Sequence, residues 1–165
     1  MDNEHLKSKF EAKYKQYGEM LYRIAFLYFG NSYDAEDALQ EVFIRLMYNA
    51  PSFKDENHEK AWLIRVTQNK CRDMLKSSHS KNASIDDIEI SDFVKTENDA
   101  QLDVLKQVVV LPAKYKTAII LYYYYDYSVS EISKTLQISN SAVKMRLKRG
   151  REILKIELED YGNET

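Results

Sequence analysis

Apolar positions return every three or four residues along most of this chain, and that spacing predicts helices rather than strands. Between Leu6 and Phe29, the positions Phe10, Tyr14, Tyr17, Leu21, Ile24 and Tyr28 fall on one stripe of a long amphipathic helix. Gly30 ends it. Asn31 and Ser32 then offer caps for a second helix whose first turns carry Asp34, Glu36 and Asp37, where the helix dipole favours negative charge. Its inner stripe is Ala35, Leu39, Val42 and Leu46. The stretch Asn49 to Glu59 holds Pro51, is polar apart from Phe53, and reads as a loop. Helical spacing resumes from Ala61 to Lys76, with Trp62, Val66, Asn69 and Asp73 on one side, Leu63 close by, and Lys70, Arg72 and Lys76 on the neighbouring face.

From Ser77 the pattern fails. A Ser-rich stretch followed by the acidic run around Asp86, Asp87, Glu89 and Asp92 has too little apolar surface to order itself and reads as an interdomain linker. Leu102, Leu105 and Val109 begin the second half, with Leu111 and Pro112 as punctuation. The run Ala113 to Tyr125 has strand propensity in Ile119, Ile120 and four successive tyrosines. With no second strand to pair with, and with Lys114, Thr117, Leu121 and Tyr124 at helical spacing, it is expected to be a helix whose tyrosines pack.

The segment Ser128 to Lys155 organises the second half. Ser128 and Glu131 have capping-box spacing, Ile132 and Leu136 share a face of a short helix, and Asn140 with Ser141 offers a fresh cap. On the following helix Val143, Leu147, Gly150 and Leu154 face inward, while Lys144, Lys148, Arg151 and Lys155, with Met145 and Arg149 beside them, make a cationic outer face. A short helix, a capped turn and a one-sided basic helix together read as a helix-turn-helix for a DNA major groove.

Composition sharpens this picture. With 165 residues, 44% of them hydrophobic, and only four Gly and two Pro, the expected fold is all-α: two small helical domains joined by a flexible acidic linker. The net charge of −2 conceals opposed parts, since Ala113 to Lys155 holds nine Lys and Arg against three acidic residues. The single cysteine, Cys71, forms no internal disulfide, and the three histidines are too scattered for a metal cage. No early apolar run reaches signal or membrane-spanning length, so a cytoplasmic protein without membrane insertion is expected. No Ser, Cys or His is arranged with a base, so no catalytic residue, metal or cofactor is expected.

Over nearly its whole length the chain resembles the extracytoplasmic-function class of bacterial RNA polymerase sigma factor. The resemblance rests on Asp34 to Leu46 (DAEDALQEVFIRL), on Ser52 to Asn69 ending in AWLIRVTQN, and on the segment from Leu111 beginning LPAKYK. It implies a region-two domain over residues 1–78, a linker over 79–100 and a region-four helix-turn-helix domain over 101–165. It implies that Asp34, Glu36, Asp37, Gln40 and Glu41 dock on core RNA polymerase. Phe53, Lys54, Arg65, Asn69 and Arg72 would then read the promoter minus-ten element as its non-template strand separates. Ser141, Lys144, Met145, Arg146, Lys148, Arg149 and Arg151 would contact the minus-thirty-five duplex, with Arg146 and Arg151 as backbone clamps. An anti-sigma factor is a further partner implied by the class.

Blander readings stand beside these. The first acidic residues of the second helix also serve as a cap, and Trp62 serves the core. The rival function is a helix-turn-helix regulator acting on an operator without polymerase. That reading explains Ser128 to Lys155 equally well, but leaves the Asp34 to Leu46 face and the Phe53 loop without roles.

Overall fold

The computed structural model describes residues 2–77 and 99–154. Seven helices account for their regular structure: α1 Asn3–Phe29, α2 Ser32–Asn49, α3 Glu56–Ser77, α4 Asp99–Val109, α5 Ala113–Tyr123, α6 Val129–Leu136 and α7 Asn140–Leu154. Residues 78–98, which carry most of the expected linker, and Lys155 lie outside the described residues.

The first three helices form one bundle. Asp2 caps α1 by accepting from the His5 amide, and Gly30 closes it in the left-handed region at φ 76°, its N–H donating to Phe26 O at 2.7 Å. Asn31 then caps α2 through Asp34 N. The expected α2 stripe of Ala35, Leu39, Val42 and Leu46 is buried, and Ala38 and Phe43 join it. Glu59, itself buried, ties α3 to α1 by accepting from Tyr17 Oη at 2.7 Å and Lys13 Nζ at 2.8 Å.

Two sequence expectations change here. α3 begins at Glu56, five residues before Ala61, because Asp55 accepts from the His58 amide at 2.8 Å and caps a first turn that was read as loop. Its inner stripe also differs: Trp62, Val66 and neighbouring Leu63 are buried, but Ile64, Thr67 and Cys71 continue the stripe, whereas Asn69 and Asp73 are exposed. The stripe expected from Trp62 had drifted around the helix by its second half.

α4 and α5 pack against α1, and α6 packs against α3. From Arg23 to Phe29, α1 is therefore buried on all sides, with α2 and α3 on one flank and the second half of the chain on the other. α5 is enclosed in the same way by α1, α6 and α7: Tyr115 to Leu121 are all buried. This explains why its sequence shows little amphipathic contrast, and why the run of strand-prone residues is nevertheless helical.

Candidate nucleic-acid and polymerase interfaces

The helix-turn-helix is built by short-range bonds. Glu131 N donates to Ser128 Oγ at 3.0 Å and Ser128 N donates to Glu131 Oε1 at 2.9 Å, completing the capping box. Those bonds with Ser128 hold the Glu131 carboxyl below its ordinary range. α6 ends at Gln137, left-handed at φ 58°, and Ser133 Oγ reaches across the turn to Ile138 O at 2.5 Å. The cap of α7 is Ser139, whose hydroxyl accepts from Ala142 N at 3.0 Å, one residue earlier than the pair Asn140 and Ser141 read from sequence.

Val143, Leu147, Gly150 and Leu154 are buried as expected. A Cβ on Gly150 would stand 2.7 Å from Ile119 Cδ1. The close approach at Gly150 is to α5. Opposite this stripe Ser141, Lys144, Met145, Lys148 and Arg149 are all exposed, and Arg149 Nε lies 3.3 Å from Met145 Sδ. The remaining two of the seven differ. Arg151 donates to Tyr123 Oη at 2.8 Å, and Arg146 is half-buried, where burial first and neighbouring Arg72 second lower its basicity.

On α3 and the loop before it, Phe53 is half-buried, its ring edge-on to Trp62 at 5.5 Å and to His58 at 5.3 Å. Trp62 is 9% exposed, under the guanidinium of Arg45 at 5.7 Å, and so belongs to the core. Lys54 is exposed and its amide donates to His58 Nδ1. Asn69 is exposed, and Arg72 is half-buried. Arg65 faces the second half of the chain: its Nη1 donates to Thr135 O at 2.8 Å, and burial lowers its basicity.

On α2, Glu36, Asp37, Gln40 and Glu41 are exposed, and Glu41 pairs with Lys70 of α3. Asp34 is partly turned into the cap, accepting from Asn31 Nδ2 at 3.2 Å. Sequence reasoning missed Ile44 and Tyr48, 52% and 65% exposed and following Gln40 at steps of four on the same face. Extending the outward stripe past Glu41 would have found them. It also missed Lys116, which is fully buried.

Among the described residues no helix is long and apolar enough to cross a membrane, and no His, Cys, Asp and Glu group has the arrangement of a metal site. An acidic helix face on α2 and a basic helix-turn-helix at α6 and α7 together mark a DNA-binding protein with a second, separate docking face. Residues 14–81 match the family model for sigma-70 region 2, and residues 101–154 match that for sigma-70 region 4. The ECF RNA polymerase sigma factor SigW of Bacillus subtilis (strain 168) is 31% identical over 160 residues, covering 87% of this chain and 86% of SigW. RNA polymerase sigma factor SigZ of the same organism is 31% identical over 139 residues, covering 78% of this chain and 79% of SigZ. The solved structure of CnrH in complex with the cytosolic domain of CnrY shares the fold, with TM-score 0.62 and 22% identity, covering 93% of this chain and 90% of that one. The chain belongs to the extracytoplasmic-function family of sigma factors, and its function is that of an alternative sigma factor in transcription initiation.

Proposed function

We propose that the chain works through three separate surfaces, carried by a region-two domain over residues 1–78 and a region-four domain over 101–165, with 79–100 as the linker between them. The α2 face of Glu36, Asp37, Gln40 and Glu41, with Asp34 at its start, docks on core RNA polymerase; exposed Ile44 and Tyr48 extend it with apolar area. Phe53, Lys54, Arg65, Asn69 and Arg72 engage the separated non-template strand at the minus-ten element. Ser141, Lys144, Met145, Lys148 and Arg149 enter the major groove at the minus-thirty-five element, with Arg146 and Arg151 near the phosphates.

The observation that carries this reading is the outer face of α7. Five of the seven residues named for it stand exposed together, opposite a stripe that is wholly buried. Lysine and arginine there can bond guanine edges or phosphates, and phosphate contacts position the helix while base contacts give it preference. Neither small module is expected to hold DNA tightly alone, and polymerase makes the second contact intramolecular. Core polymerase and promoter DNA are therefore the working partners, an anti-sigma factor is a regulatory one, and the cytoplasm is the place of action.

Separation of function tests it. Replacing Lys148 and Arg149 with alanine should weaken duplex binding, whereas Phe53→Ala or Asn69→Ala should spare duplex binding and impair promoter opening. Equal loss at both steps in every variant would overturn the division.

A further inference from the structure

We infer that His58 is a positioning residue for the minus-ten element: its imidazole closes the turn that carries Phe53 and Lys54, and supplies there an acceptor without negative charge. The functional half of this inference rests on the minus-ten role proposed above for Phe53 and Lys54. The turn itself does not.

Asp55 is the N-cap of α3. Its carbonyl accepts from Glu59 N at 3.1 Å, the first bond of the helix, and its carboxylate accepts from His58 N at 2.8 Å. His58 is therefore the third helical residue, where the usual capping box places a Glu or Gln that reaches back to the amide of the cap. Ser128 and Glu131 follow that rule in this same chain. Here the returning group is an imidazole, and it reaches one residue further, its Nδ1 accepting from Lys54 N at 3.1 Å. A backbone N–H can only donate, so Nδ1 carries no proton and the ring proton lies on Nε2.

The same ring meets Phe53. The two ring planes are perpendicular with centroids 5.3 Å apart, and Phe53 also stands edge-on to buried Trp62 at 5.5 Å. One side chain thus holds both the ring of Phe53 and the amide that follows it. A loop ordered before the strand arrives spares the binding step the cost of ordering it. The choice of histidine follows from charge. Asp55 and Glu56 already place two exposed acidic residues in this turn, while the carboxylate of Glu59 is buried against Tyr17 and Lys13. A glutamate at position 58 would cap α3 as well, but would set a further carboxylate against the phosphates of the strand.

The test titrates holoenzyme, assembled from core polymerase and the full chain, with a fluorescein-labelled non-template single strand from a promoter mapped by its transcript start. His58→Asn keeps an uncharged acceptor near the position of Nδ1 and should bind the strand within about twofold of wild type. His58→Phe keeps a ring against Phe53 but offers no acceptor, and should bind about fivefold more weakly. His58→Glu should match the thermal stability of wild type because the cap is retained, yet bind about fivefold more weakly at low salt, with the deficit shrinking as salt screens the added charge. A merely structural role would leave the Glu and Asn variants equal. Equal affinity of those two, or of His58→Phe and wild type, would overturn the inference. So would a proton on Nδ1 of His58 in nitrogen NMR spectra of the wild-type chain, where a proton on Nε2 is expected. Phe53→Ala separates the two levels. If it binds the strand as wild type does, the minus-ten reading fails and takes the inference with it; if it loses binding while His58→Phe and His58→Glu do not, the inference alone fails.

Discussion

Lys116 of α5 and Leu27 of α1 are joined by a hydrogen bond of 2.5 Å between an ammonium group and the carbonyl at a helix end, with no part of the lysine exposed. The Tyr28 ring lies 5.5 Å from the same nitrogen. One buried lysine nitrogen thus links the two halves of the molecule and substitutes for the donor that the last turn of α1 lacks.

That burial makes stability depend on pH. Loss of hydration pushes the Lys116 ammonium down from an ordinary value of 10.5 to about 7, with Cys71 opposing the shift. Burial raises the neighbouring Tyr28 hydroxyl and Cys71 thiol, so neither titrates in this window. A base with a depressed value favours the folded form at high pH. Its contribution is complete above the unfolded value of 10.5, declines as pH falls, and is gone below about 7. Urea denaturation of wild type should therefore show stability rising between about pH 7 and 9.5, by at most ~1.4 kcal/mol per pH unit. Lys116→Met should remove this slope; an unchanged slope in that variant would refute the assignment.

Much of the fold was legible in the sequence wherever one helix face meets water. The α2 stripe, the capping box at Ser128 and the inward residues Val143, Leu147, Gly150 and Leu154 all follow from spacing and local hydrogen bonding. Legibility failed where a helix is enclosed. On α5, Lys116 looks like a surface charge in sequence, because nothing local announces that a carbonyl 89 residues away will meet it. The first turn of α3 was missed because a cap at Asp55 looks like one more polar loop residue. Of the candidate sites, the α7 and α2 faces needed only periodicity, whereas the engagement of Arg65 by α6 depends on a contact 70 residues away.

Gly150 exchanges helix propensity for close packing. Alanine would add ~1 kcal/mol of propensity, but its Cβ would meet Ile119 Cγ1 at 2.8 Å, and overpacking of this kind costs about 1–3 kcal/mol. Gly150→Ala should therefore lower stability by roughly 1 kcal/mol in chemical denaturation. Adding Ile119→Val should recover part of the loss, and a double-mutant cycle without coupling would contradict the contact.

Gln137 holds a left-handed conformation that costs a side-chain-bearing residue about 1–2 kcal/mol. Glycine avoids that cost but gives back about 0.5–1 kcal/mol in chain entropy. Gln137→Gly should raise stability by roughly 0.5–1 kcal/mol and leave duplex affinity unchanged; a drop in the melting temperature would contradict it.

On α7, the contact of Arg149 Nε with Met145 Sδ leaves the two terminal nitrogens of the guanidinium available for a base edge. Arg149→Ala should relax preference at one base pair, with a loss of about 1–3 kcal/mol on the preferred sequence alone. Lys148→Ala should weaken all duplexes alike and reduce the slope of log affinity against log salt by about 0.9. Binding titrations on preferred and scrambled duplexes at several salt concentrations distinguish the two outcomes.

The most direct measurement is transcription in vitro from core RNA polymerase supplied with this chain, over a genomic template library, with the transcript starts sequenced. Starts that share two upstream elements at fixed spacing, appear only when the chain is added, and vanish when Glu36, Asp37 and Gln40 on α2 are replaced by alanine are the expected result. A chain that leaves the start pattern of core polymerase unchanged, and fails to co-migrate with it while binding duplex DNA unaided, would contradict the reading.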